Sequence, residues 1–186
     1  MIMTTNSVRR FVTAAILGIV CFVFSPLTSV KAADEDSTQV STLLSQAKLE
    51  AIRLREDSNQ MNDFVRSNVA WDTHAAYSGI IADDIVAMLD KINQLDKARS
   101  SGSPWQQAAI DKIKPLMKEL ATTMEGLAAV MLEKPMDRTE FNEYLQANYD
   151  NAEQLAALIS NFVDYGKAKH RLETTAAKLK LEAQGK

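Results

Sequence analysis

Apolar positions recur along this chain at alternating steps of four and three. Val40, Leu44, Ala47, Ala51, Leu54, Ser58, Met61 and Val65 form the first such line. This is the spacing of a helical seam packed against other helices, and Leu43 and Phe64 widen it into a core-facing stripe. A second line, His74, Ser78, Ile81, Ile85, Met88, Ile92 and Leu95, keeps the same steps in a shifted phase. Extending the first line would reach Asp72, Ala75 and Gly79 instead. The slip predicts a break between Asn68 and Asp72, with Asp72 as the N-cap of the second helix. The alternative is one helix over 37–99.

A third line runs through Ala109, Ile113, Leu116, Leu120, Met124, Leu127 and Met131. Ser103-Pro104-Trp105-Gln106 introduces it with a capping serine, a proline at the first helical position and a glutamine three after the cap. Pro115 cannot donate to the Asp111 carbonyl and is expected to kink this helix. A fourth line holds Phe141, Tyr144, Leu145, Asn148, Ala152, Leu155, Ile159, Phe162 and Tyr165, and Asp137 with Glu140 marks its start. No alternating run is long enough to argue a strand.

The segments 37–67, 72–99, 103–132 and 137–165 are nearly equal, each roughly 45 Å long at 1.5 Å per residue. Equal rods joined by short connections predict an all-α, antiparallel up-down-up-down four-helix bundle. The bundle occupies 33–166, and 167–186 is a C-terminal helical extension in the form of a basic tail.

The first residues read differently. Arg9 and Arg10 precede an apolar run from Phe11 to Phe24, and Val30-Lys31-Ala32 is a small-residue cleavage site. Residues 1–32 are therefore read as a signal peptide. The run falls short of the roughly 20 residues that a bilayer core needs, which argues for a cleaved leader over a retained anchor. The chain is expected to be exported, to the periplasm or outside the cell, with no integral membrane segment after cleavage. Val20 before Cys21 argues against lipidation, and Phe11-Val12-Thr13 fits a twin-arginine signal poorly.

Charge sharpens the picture. Removing Arg9, Arg10 and Lys31 with the leader takes the formal charge from −3 to −6. The tail carries Lys167, Lys169, Arg171, Lys178, Lys180 and Lys186 against Glu173 and Glu182, so it is +4 and the bundle −10. Leu172, Ala176, Leu179 and Ala183 keep a thin apolar stripe on it. The tail either overhangs the bundle and covers the start of the first helix, or is an arm for an anionic surface. The acidic balance, without aromatic–basic interleaving, argues against nucleic acid.

Candidate chemistry is sparse. Cys21 is the only cysteine, so the mature chain has no thiol for disulfides, zinc–thiolate sites or c-type haem. The stretch from Ser67 to Gly79 gathers Trp71, His74 and Tyr77 at the predicted corner. Trp71 is expected to staple onto Ala76, and Tyr77 to flank the seam. Met61, His74, Met124, Met131, Met136, Phe141 and Tyr144 all fall in the same half of the bundle. His74 with Met61, Met124 or Met131 could ligate copper or a b-type haem, as bundles of the cytochrome b562 type do. Methionine at helical spacing is equally ordinary core filling, so the main reading carries no cofactor. His170 lies too far along the fourth helix to join His74. Glu-x-x-His pairs, a glycine-rich phosphate loop and a serine in a strained turn are all missing, and Asp83-Asp84, Asp90 and Asp150 with Glu153 read as solvated acids. The sequence thus predicts an exported, non-enzymatic binding or structural module for an unknown protein or helix partner. Its possible contacts are Trp71, His74, Tyr77, Lys167, Lys169, Arg171, Lys178 and Lys180.

Overall fold

A computed structural model describes residues 35–66, 71–133 and 136–185; the side chains at 65, 66, 71 and 72 fall outside that description. The expected leader, 1–32, also lies outside the described residues. Four helices follow in order: α1 (Thr38–Arg66), α2 (Trp71–Ala98), α3 (Pro104–Leu132) and α4 (Arg138–Gln184), with a single 3₁₀ turn, Arg99–Ser101, after α2.

Cross-helix contacts fix the directions. Arg53 meets Asp84 while Met61 meets Ser78, so α1 and α2 are antiparallel. Lys114 meets Asp96 while Met131 meets Ser78, which sets α3 against α2. Asn151 meets Thr123 and Trp105 meets Tyr165, which sets α4 against α3. Lys48–Asp164 and Asn62–Gln146 close the ring between α1 and α4. The result is the predicted four-helix bundle, with two antiparallel helices, α1 and α2, in place of the rival single shaft over 37–99.

The predicted seams of α1 and α2 are buried at every described position, His74 and Ser78 included. Two seams drift. In α3, Ile110 and Met117 are buried where Leu116 is only half-buried. In α4 the line passes from Ile159 to Val163 and Gly166, leaving Tyr165 52% exposed. A straight helix turns 3.6 residues, so a strict heptad line walks off the buried face over several turns. The start of α2 also differs. The helix begins at Trp71, so Asp72 lies in its first turn rather than capping it. The expected stapling of Trp71 onto Ala76 lies outside the described residues. Asp137 caps α4, its Oδ1 accepting from the Thr139 and Glu140 amides at 2.8 and 3.2 Å. α3 runs across Pro115 as one helix.

Polar groups inside the bundle set its register. Asn148 Nδ2 donates to Ser58 Oγ, and Asn151 Nδ2 to Thr123 Oγ1, both at 3.1 Å. Sliding α4 by one turn against α1 would lay Asn148 on Leu54 or Met61, leaving a buried amide unsatisfied. Asp84 corrects the reading of α2's acids as solvated. Asp83 is exposed, but Asp84 is buried against α1. Arg53 reaches over it, with Nε and Nη2 donating to Oδ1 at 2.7 and 2.6 Å. Burial and the neighbouring Asp57 carboxyl nevertheless hold Asp84 above the usual carboxylate range.

Candidate functional site

The two poles of the bundle are built differently. At the lower pole, the end of α1 and the start of α2 enclose His74. Its ring stands edge-on to Phe141 at 5.6 Å and to Phe64 at 6.1 Å, and Phe64 stands edge-on to Tyr77 at 4.7 Å. One turn on, the Ser78 hydroxyl donates to the His74 carbonyl oxygen at 2.8 Å, and lies 3.2 Å from Met131 Sδ and 3.8 Å from Met61 Sδ. The pole therefore does bring His74, Met61 and Met131 into one neighbourhood. The sulfurs face a hydroxyl and the imidazole faces two phenyl rings, which is the geometry of packing. Met124 is buried in the core of α3. Among the described residues, no group of three or more His, Cys, Asp or Glu side chains is placed to hold a metal ion.

Burial holds the His74 imidazole below its ordinary value, so it is neutral at pH 7. As pH falls, the unfolded chain takes up this proton first. The stability tied to neutral His74 is complete above about 6.5 and is lost as pH falls through the lower folded-state value. Between pH 7 and 5, His74→Phe should flatten the slope of stability on pH by up to one proton. Urea titrations of both proteins at several pH values check this, and equal slopes would contradict it.

The upper pole was not singled out by sequence as a site. Here the start of α1, the start of α3 and the middle of α4 meet. Asp36 Oδ1 accepts from Trp105 Nε1 at 2.6 Å and Ser103 Oγ at 2.7 Å, and pairs with Lys169 Nζ at 3.0 Å. Partial burial alone would raise the Asp36 pKa, but the hydrogen bonds from Ser103, Lys169 and Trp105 outweigh it and lower it. Beside it, wholly buried Gln106 bridges two helix starts. Its Oε1 accepts from the Ser37 and Ser103 amides, both at 2.9 Å, and its Nε2 donates to the Ser37 carbonyl at 3.0 Å and Ser41 Oγ at 2.9 Å. The capping signal at Ser103–Gln106 was legible. That the same glutamine fastens a second helix was not, because nothing in local spacing says that residue 37 comes alongside.

The far edge of the Trp105 ring comes so close to α4 that a Cβ at Gly166 would lie 2.8 Å from its Cη2. Gly166 therefore does not end the helix. It makes room for the indole, and α4 continues for another eighteen residues to Gln184. An open cavity of about 320 Å³ lies alongside, lined by Leu44, Trp105, Val163 and Gly166 with Lys167 and His170 at its rim. Of the predicted tail contacts, Lys169 turns back to Asp36 and to Glu173, while Lys167, Arg171, Lys178 and Lys180 are exposed. From Arg171 to Gly185 every residue is exposed, including Leu172 at 73% and Leu179 at 60%.

No protein-family model matches this chain, and neither curated protein sequences nor solved structures match it. Among the described residues, no helix is long and apolar enough to cross a membrane.

Proposed function

We propose that this chain is an exported, non-catalytic binding module that engages a macromolecular partner through the far end of α4. The observation that carries this reading is the overhang. A clamp of Asp36, Ser103, Trp105 and Lys169 holds α4 at its root. Beyond the clamp, a cationic helical segment with its own apolar stripe stands exposed on an acidic bundle. Charge contrast of this kind steers association and sets orientation. Export rests on the leader pattern of Arg9, Arg10, the apolar run 11–24 and the Val30-Lys31-Ala32 site.

A photo-cross-linking residue at Thr175 or Leu181 in the producing cell should yield adducts that the same probe at Ala128, an exposed position on α3, does not. Absence of adducts from both overhang positions would sink the reading. Mass spectrometry of the recovered chain should find its first residue at Ala33. Ending the chain after Thr175, which keeps the Lys169–Glu173 pair, should change folding stability by less than about 0.5 kcal/mol, because it removes only exposed side chains. Chemical denaturation checks this, and a larger loss would mean that the overhang packs on the bundle.

A further inference from the structure

We propose that the far end of α4 pairs with the same segment of a second copy, antiparallel, along Leu172, Ala176, Leu179 and Ala183. This rests on the reading that the overhang is the contact element, and it names the partner.

Direction is the first argument. The core-facing line of α4 runs through Leu145, Asn148, Ala152, Leu155, Ile159, Val163 and Gly166. Continuing its steps gives His170, Glu173, Ala177 and Lys180, a line with three polar residues of four and no large apolar side chain. The apolar stripe lies elsewhere: Leu172 is six residues past Gly166, roughly 120° around the helix. It is not a surplus of the bundle's own core and faces a partner of its own.

Shape is the second. The steps of four, three and four make a two-heptad seam. Placed antiparallel about a two-fold axis between Ala177 and Lys178, Leu172 meets Ala183 of the second copy and Ala176 meets its Leu179. Each large side chain faces a small one, and the reciprocal contacts repeat this. A parallel pair would set leucine on leucine and alanine on alanine, leaving the alanine layers loosely filled.

Charge is the third. Glu173 and Lys180 flank the stripe on one side. The antiparallel register sets Glu173 beside Lys180 of the second copy, twice over. A parallel pair would set Lys180 beside Thr175 and Glu173 beside Ala168. Arg171 and Lys178 lie on the outer face, where their like charges are separated and screened by salt. A bilayer suits the stripe less well, since two leucines and two alanines without an aromatic residue give little to bury at a lipid interface.

A seam this short buries less than the roughly 1,200 Å² of a stable interface, so the pairing is weak and concentration-dependent. Sedimentation velocity of the intact protein from about 5 to about 500 µM spans the range of such weak association. The mass should rise from one copy towards two. Leu179→Glu should weaken dimerisation at least about tenfold by placing a charge in the seam, while Leu181→Glu on the opposite face should not. Glu173→Lys and Lys180→Glu should each weaken it about threefold or more, and the double exchange should restore it. Restoration requires 173 and 180 to meet across the pair, so it also reports the antiparallel register. These residues are exposed, so the variants fold. An intact protein that stays monomeric, a dimer indifferent to Leu179→Glu, or a double exchange no better than the singles would each overturn the proposal. So would binding to phosphatidylglycerol vesicles by a chain that remains monomeric. Overhang adducts with a different protein, from a chain that sediments as a monomer, would overturn self-pairing and leave the wider reading standing.

Discussion

Gln106→Ala is expected to lower folding stability by about 3 kcal/mol and the melting temperature by about 10 °C. The side chain is wholly buried and makes four hydrogen bonds at 2.9–3.0 Å. Truncation strands two backbone amides and a carbonyl at the junction of α1 and α3. Each unsatisfied group costs about 1–3 kcal/mol, reduced where water enters the space left behind. Gln106→Glu separates the hydrogen-bonding part from the packing part. It keeps an acceptor for the Ser37 and Ser103 amides but turns an oxygen toward the Ser37 carbonyl. Its loss should therefore be smaller than that of alanine and should shrink further in acid, where the carboxyl can donate. Thermal unfolding followed by circular dichroism checks both. An unchanged melting temperature for the alanine variant would mean that the two helix starts are not joined in this way.

Trp105→Ala should cost about 3 kcal/mol, at the low end for large aromatic truncations because the ring is only half-buried. It empties the space over Gly166, removes the edge contact with Tyr165 at 5.2 Å, and takes a donor from Asp36. Trp105→Phe keeps most of the packing and loses the indole N–H. Its cost should be about 1.5–2 kcal/mol, the low end for a hydrogen bond to a charged acceptor because the pair is only part-buried. Urea unfolding of the pair measures the difference. A phenylalanine variant as stable as the parent protein would mean that the bond to Asp36 contributes nothing, and the carboxylate is held by Ser103 and Lys169 alone.

Both variants strike the pole that the sequence did not mark. The bundle itself was legible because its signal is periodic: seven seam positions of α2, from His74 to Leu95, are all buried. Caps at Ser103 and Asp137 were legible because capping is local. What escaped was contact between residues far apart in the chain. Asp36 reads as one acid in an acidic stretch until α3 and α4 bring Trp105 and Lys169 to it. Asp84 reads as half of an exposed Asp-Asp pair until Arg53 covers it from the next helix. His74 was legible as a seam position. Its edge-on packing between Phe64 and Phe141 was not, because a histidine and nearby methionines look the same in sequence whether they hold a ligand or fill a core. That the fourth helix extends past Gly166 was legible; why a glycine stands at that position was not, because the indole edge that leaves no room for a Cβ comes from another helix.

The 47 residues of α4 are one helix by hydrogen bonding but not one unit of cooperativity. Up to the clamp, opening any turn would expose core, so that part unfolds only with the whole domain. Past the clamp, the last turns are held by little beyond their own backbone bonds. A solvated helix of that length is marginal in water, and it frays and re-forms while the rest stays shut. Anything that catches this end meets a fluctuating ensemble, and part of the free energy of capture goes into stilling it.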